Sequence, residues 1–150
     1  RAPVSPLAFR PARETDREWL WETKRLCLRT YLEQTWGAWN ETTQRARFDA
    51  NFCLPEFRVW LLGSDDIGYS SSALQASELR LFNLMIRPPF QNRGRGTTVL
   101  QQLQAEARQH RLPLTLRVLK VNPARRLYER TGFVVAAETD AHFEMRWMDA

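Results

Sequence analysis

The sequence predicts a mixed α/β domain built around one sheet with helices packed against it, and three observations lead there. Two stretches with helical periodicity come first. A series of short apolar or alternating segments, punctuated by turn residues, follows. Residues 79–148 then run strand, helix, strand, helix and close on two further strands. At 150 residues the chain has the length of one ordinary domain, so a single domain over 1–150 is expected. Its 43% hydrophobic and 26% charged residues suit a globular protein.

Thr15-Asp16-Arg17-Glu18 reads as a capping box, with Thr15 as cap and Glu18 reaching back. It opens a helix through about residue 35, with Trp19, Leu20, Leu26, Cys27 and Tyr31 near one face. Trp36-Gly37-Ala38-Trp39 breaks that helix. Asn40 caps a second, expected to end near Cys53, with Pro55 as the stop. Phe57 to Leu62 reads as a strand closed by the turn Gly63-Ser64-Asp65-Asp66. Ile67 to Leu74 reads as a second strand, serine-rich and expected to be less buried. Leu79 to Ile86 is apolar on both faces, as a strand covered on both sides should be.

After Pro88-Pro89, residues 97–110 predict a helix with Val99, Leu100, Leu103 and Ala107 on one side. Leu114 to Leu119 is a strand. Residues 123–130 form a short helix, capped by Asn122, with Pro123 in its first turn and Gly132 just past its end. Val134 to Glu138 and Phe143 to Met148 close the chain as strands, the second burying Phe143, Met145 and Trp147.

Composition narrows the function. No apolar stretch approaches the roughly 20 residues needed to span a bilayer, so no membrane association is expected. The N-terminus lacks a basic run followed by an apolar one, so no signal peptide is expected and the cytoplasm is the expected compartment; the chain starts at Arg1 rather than Met, which leaves upstream residues open. Cys27 and Cys53 have no partner pattern and are expected to be small buried apolar residues. No cluster of histidine, cysteine and carboxylate suggests a metal. The net charge of +5 is carried almost wholly by arginine, since Lys24 and Lys120 are the only lysines. The arginines are dispersed apart from Arg93 with Arg95 and Arg125 with Arg126. That distribution favours a local anion site over a nucleic-acid track.

The anion site has a location. In Ile86-Arg87-Pro88-Pro89-Phe90-Gln91-Asn92-Arg93-Gly94-Arg95-Gly96-Thr97 a buried strand runs into a glycine turn that feeds a helix start. Glycine lets backbone pass close to a ligand, and the open amides of a helix N-terminus attract an anion. Arg93 and Arg95 add charge-assisted contacts for phosphate oxygens. No lysine follows Gly96, so this is not a P-loop. Position 99 is Val99, so it is not a dinucleotide fingerprint.

The later segment Val121-Asn122-Pro123-Ala124-Arg125-Arg126-Leu127-Tyr128-Glu129-Arg130-Thr131-Gly132-Phe133 completes a pattern. Together the two segments resemble the GNAT superfamily of acyl-CoA-dependent N-acyltransferases: Pro-x-x-Gln-x-x-Gly-x-Gly at 88–96 is similar to its pyrophosphate loop, and Asn122 through Phe133 to its second cofactor segment. The resemblance is strong over residues 79–148, while the first 55 residues match only in arrangement. It implies a central, largely antiparallel mixed sheet flanked by helices, and acetyl-CoA as acyl donor. It also implies roles. Main-chain groups near Leu84 and Ile86 pair with the pantetheine arm. Gln91 belongs to the loop, and the amides of Arg93, Gly94, Arg95, Gly96 and Thr97 hold the pyrophosphate. Asn122 contacts pantetheine, Arg125 or Arg126 reaches a nucleotide phosphate, and Tyr128 sits near the thioester sulfur. Dimers are common among such proteins.

The expected activity is acetyl transfer to a primary amine of a small molecule, amino acid or peptide. Tyr128 is the expected general acid for the departing thiolate, and an amide near Leu84 polarises the carbonyl. For the base, Glu78 is the first candidate, beside Glu33, Glu41 and Asp49, with a water chain as the alternative. The N-terminal aromatics Trp19, Trp21, Tyr31, Trp36 and Trp39 are expected mainly to be core or to cap an edge of it, with one or two lining the acceptor pocket. Two competing readings are a non-catalytic acyl-CoA-binding module of the same fold and a nucleic-acid binder; no nucleic-acid partner is expected.

Overall fold

The computed structural model describes residues 6–149. Its elements are β1 (Ala8–Pro11), α1 (Arg17–Trp36), α2 (Glu41–Ala50), β2 (Phe57–Leu62), β3 (Asp65–Leu74), β4 (Leu79–Ile86), α3 (Arg95–Gln109), β5 (Leu114–Leu119), α4 (Ala124–Arg130), β6 (Val134–Glu138) and β7 (His142–Trp147). The strands form one seven-stranded mixed sheet in the order β1-β2-β3-β4-β5-β7-β6. All neighbours are antiparallel except β4 and β5, which run parallel because α3 carries the chain back across the sheet.

Each face of the sheet has its own core. Under α3 and α4, Leu100, Leu103 and Ala107 pack with Leu79, Leu81, Leu114, Leu116 and Met145. Under α1 and α2, Leu20, Trp21 and Phe48 pack with Phe57, Val59, Tyr69 and Met85. Leu103 is fully buried. Leu103→Ala is expected to cost about 2–5 kcal/mol, from lost burial and the cavity left behind. Chemical denaturation checks this, and a cost well under 1 kcal/mol would place α3 wrongly.

The sheet is split where it matters. β4 and β5 make only three pairs, Leu79↔Leu114, Arg80↔Thr115 and Leu81↔Leu116, although β4 continues to Ile86 and β5 to Leu119. On the other side of β4 the register with β3 slips between Ser71 and Ser72, leaving Phe82 as an extra residue. A bulge bends its strand, and this one falls where the β4–β5 pairing stops. Beyond it the two strands part, and the β5-facing edge of β4 is open.

Several expectations are revised. The helix does not begin on a Thr15 capping box: Glu14–Asp16 is a 3-10 turn, Asp16 accepts from the Arg13 amide at 2.7 Å, and α1 starts at Arg17. Asp16 is fixed there because Arg10 grips it at 2.8 and 3.0 Å, which holds the carboxyl below its usual range, while Glu18 pairs with Arg45. Leu26 is 51% exposed rather than on the buried face. α2 ends at Ala50, with Asn40 accepting from the Thr43 amide at 2.9 Å as the sequence implies. β3 is the reverse of poorly buried: Ile67 to Ser71 are all inside. The serine hydroxyls are satisfied there, Ser70 by the Trp60 indole N–H and Ser71 by the Asn83 amide, each at 2.8 Å. Cys53 is exposed, against expectation, and both cysteines are free thiols.

Candidate active site

Past Ile86 the chain makes a 3-10 turn at Pro88–Phe90 and then the loop Gln91–Gly94. Two side chains pin the strand end: Gln91 Nε2 donates to the Ile86 carbonyl at 2.7 Å, and the Cys27 thiol of α1 donates to the same oxygen at 3.3 Å. Burial pushes the Cys27 thiol up to about 11, so it is a neutral donor rather than a nucleophile. The loop closes through Asn92 and Gly94, both at positive φ (63° and 76°). The turn aims the first amides of α3 outward. The first internal bonds come from Thr98, whose amide and hydroxyl both reach the Gly94 carbonyl at 3.0 Å. The N–H groups of Arg93, Gly94, Arg95, Gly96 and Thr97 have no partner among the described residues. A Cβ on Gly94 would meet no atom within 4 Å, so this backbone faces open space.

Opposite stands α4. The Asn122 carboxamide oxygen accepts from the Ala124 amide at 2.9 Å and fixes the start of the helix. α3 and α4 lie close together at Gly96, where a Cβ would come within 3.0 Å of Leu127 Cδ2. Between them, β4 and α1 lies a cleft of about 370 Å³. Cys27, Leu28 and Tyr31 line it from α1, and Leu84, Met85 and Ile86 from β4. Gln91, Gly94, Arg95, Gly96 and Thr97 line it from the loop and α3, and Asn122, Arg126, Tyr128 and Arg130 from the α4 side. Its ionisable lining consists of arginines, tyrosines and one cysteine, so the cleft suits an anion.

Tyr128 is 7% exposed, with its ring edge-on to Phe133 at 5.8 Å. Its hydroxyl makes no hydrogen bond among the described residues, and burial pushes the phenol up to about 12. A proton donor therefore stands in the cleft wall, protonated throughout the neutral range.

The cleft brings together most of the residues that the sequence singles out, but not all. Arg93 is exposed and is not among the residues lining the cleft, although its amide is one of the unpartnered ones of the loop. Arg95 lines the cleft and turns back to the Phe90 carbonyl at 3.2 Å. Arg125 faces an adjoining cavity of about 390 Å³ with Lys120, its guanidinium 4.4 Å from the Phe143 ring; Arg126 is the member of the pair that reaches the main cleft. Glu78 is misplaced for a base acting in the cleft: it precedes β4 at the end remote from Ile86, and its carboxylate accepts from the Thr115 hydroxyl. Glu33 pairs with Arg29, Glu41 with Arg25, and Asp49 with Arg17 and Arg45; none of them lines the cleft. Tyr31 is one of the N-terminal aromatics expected near a pocket; Leu28 was not singled out, although Cys27 and Leu28 lie four and three residues before Tyr31, spacings that bring both beside it on one helix.

The comparisons with known proteins agree with this geometry. The model of the acetyltransferase (GNAT) domain matches residues 55–135, more than half of the chain. No curated protein sequence matches it. Among solved structures, the chain is similar to the PaiA N-acetyltransferase from Thermoplasma acidophilum in complex with coenzyme A (TM-score 0.72, 19% identity, covering 97% of this chain and 100% of that one). It is also similar to Ard1 from Thermoplasma volcanium (TM-score 0.70, 16% identity, 97% and 99%). A third is the ribosomal-protein-S18-alanine N-acetyltransferase from Escherichia coli (TM-score 0.67, 19% identity, 95% and 93%). A sheet that parts between β4 and β5, a loop of outward amides and a family match over the same segment identify the chain as a member of the GNAT acetyltransferase family.

Proposed function

We propose that the chain is an acetyl-CoA-dependent N-acetyltransferase that delivers the acetyl group to a primary amine of a small molecule, amino acid or peptide in the cytoplasm. The observation that carries this reading is the run of unpartnered amides from Arg93 to Thr97, at the end of a cleft whose opposite wall holds the Tyr128 hydroxyl. The residues present fit the donor. A helix N-terminus with Arg95, Arg126 and Arg130 nearby suits a pyrophosphate. The open edge of β4, at Leu84 and at the Ile86 amide since Gln91 and Cys27 already occupy the Ile86 carbonyl, suits an extended amide chain that adds to the sheet as a strand would. The similar Thermoplasma acidophilum structure is a coenzyme A complex.

When bound, acetyl-CoA supplies the activated acyl group. The protein's part is positional. The loop amides hold the phosphates, the β4 edge aligns the arm, and the amide near Leu84 faces the developing negative charge on the carbonyl oxygen. Tyr128 donates a hydrogen bond to the departing sulfur. A thiol's ordinary pKa is about 8.5, so full transfer from a phenol near 12 is uphill. Tyr128 therefore stabilises the leaving thiolate, while the proton that sulfur finally takes comes from the attacking amine, by way of water. The cleft lining offers no carboxylate to deprotonate that amine, which must arrive neutral.

The test is release of free CoA thiol in the presence of an amine panel. Amine-dependent release above the rate of thioester hydrolysis is expected. Binding of acetyl-CoA with no turnover of any amine would favour a non-catalytic binding module instead.

A further inference from the structure

The cleft is lined from both faces of the split sheet, by α3 and α4 on one and by α1 on the other, and the α1 face carries, outside that lining, features that the donor does not use. Phe82 and Arg117 are the first residues past the last β4–β5 pair, so one stands on each lip of the gap. Both are exposed. Leu116 and Val118 point into the core under α3, so the alternation of β5 puts Thr115 and Arg117 on the α1 side. Antiparallel partners share a face, so Glu144 lies beside Arg117, and His142 follows two residues away on β7. The end of α1 reaches this spot: Trp36, 58% exposed, faces the His142 ring with centroids 5.6 Å apart. Burial, and after it the Arg117 guanidinium, holds His142 below the usual histidine range.

The charges on this face are unequally engaged. Arg80 takes Glu144 with two bonds, at 2.9 and 3.2 Å. Glu78 is held by Thr115. Arg117 at the gap, and Arg146 further along β7, form no ion pair among the described residues. Both acids that these strands bring to the face are thus occupied, and the guanidinium nearest the gap is left for something else.

We propose that Arg117 binds an acidic group on the acceptor, and that the acceptor is a primary amine carrying a carboxylate or phosphate a few bonds from its nitrogen. Trp36 and Phe82 offer flat apolar faces to the rest of that molecule. This rests on the donor lying in the cleft, because the amine then enters through the gap from the α1 side and trails its acid over Arg117. Guanidinium is suited to both anions because its planar fork matches their paired oxygens.

Matched acceptors separate charge from shape: phenylalanine against phenylalaninamide, and O-phosphoethanolamine against ethanolamine. Each is assayed for thiol release with the wild type, Arg117→Gln and Arg117→Lys, while calorimetry on the same samples measures acetyl-CoA binding. The amine of the amide is the less basic of its pair, so intrinsic reactivity runs against the expected result. We expect the acid of at least one pair to be preferred in kcat/KM by about tenfold or more, the scale of one charge-assisted contact. Arg117→Gln abolishes that preference, Arg117→Lys restores part of it, and acetyl-CoA affinity stays constant across all three. Which pair responds tells carboxylate from phosphate. Equal use of both members, preference for the neutral one, no turnover of any acid, or a preference that survives Arg117→Gln overturns the proposal. A wild type that fails to bind acetyl-CoA strikes the donor reading instead, and the calorimetry distinguishes the two failures.

Discussion

Gly94→Val is expected to abolish measurable acetyl-CoA binding while leaving the domain folded. Gly94 sits at φ 76°, where an L-residue pays about 1–2 kcal/mol and a β-branched one more. That is a fraction of the roughly 5–15 kcal/mol that holds a domain together, so the melting transition should move by only a few degrees. Binding suffers differently. The space beside Gly94 is empty to 4 Å, so a valine side chain would stand in it, over the amides that are to hold the phosphates. Relief of the strain would also turn those amides away. Gly94→Asn separates the two effects, since asparagine tolerates positive φ: the loop shape survives and only the added side chain interferes. Gly96→Ala acts elsewhere, on the 3.0 Å approach to Leu127, and should lower the melting temperature more than the affinity. Calorimetric titration of each variant reads the affinities. Normal binding by Gly94→Val would show that the loop does not hold the donor.

Tyr128→Phe is expected to lower kcat by about 10²-fold or more, the usual range for losing a preorganised hydrogen-bond donor to a developing charge. The acetyl-CoA affinity should change little. The ring's contact with Phe133 is kept, and the hydroxyl has no hydrogen-bond partner among the described residues, so folding loses nothing that the structure shows. The pH profile carries a second expectation. The phenol lies near 12, so the rate should rise with pH as the amine loses its proton and should show no fall from Tyr128 ionisation below about pH 11. A variant as active as the wild type would remove Tyr128 from the reaction. A descending limb near pH 8–9 that vanishes in Tyr128→Phe would contradict the burial argument.

The parts of this architecture that were legible in the sequence are those written in local chemistry. The glycine turn before α3, the Asn122 cap of α4 and the doubly apolar β4 each depend on residues a few positions apart. β1 was not legible: four residues ending in Pro11 carry no alternation, and they become a strand only because β2 offers an edge. The burial of β3 was misjudged because serine suggests a solvated strand, yet its hydroxyls are matched by Trp60 and Asn83, whose positions depend on sheet order.

The parting of β4 from β5 is a property of pairing register and of the slip at Phe82, which no short window contains. The same holds for the site. The loop was legible from its glycines and arginines, and Tyr128 from the resemblance to the family. Which arginine of the Arg125–Arg126 pair enters the cleft was not, and neither was Arg117, because solvated and ligand-facing arginines look alike until their ion pairs are known. Glu78 looked suitable as a base from its place ahead of a central strand. That place is the wrong end of the strand for the cleft, and its carboxylate is held by Thr115.

The most direct test of the central claim is calorimetric titration of the wild-type chain with acetyl-CoA, with ATP and NAD as controls. The account predicts selective binding of acetyl-CoA at micromolar strength, lost in Gly94→Val and kept in Tyr128→Phe and Arg117→Gln. Absence of binding by a folded sample, or equal binding of all three nucleotides, would contradict it and leave the amides of residues 93–97 as a turn with another purpose.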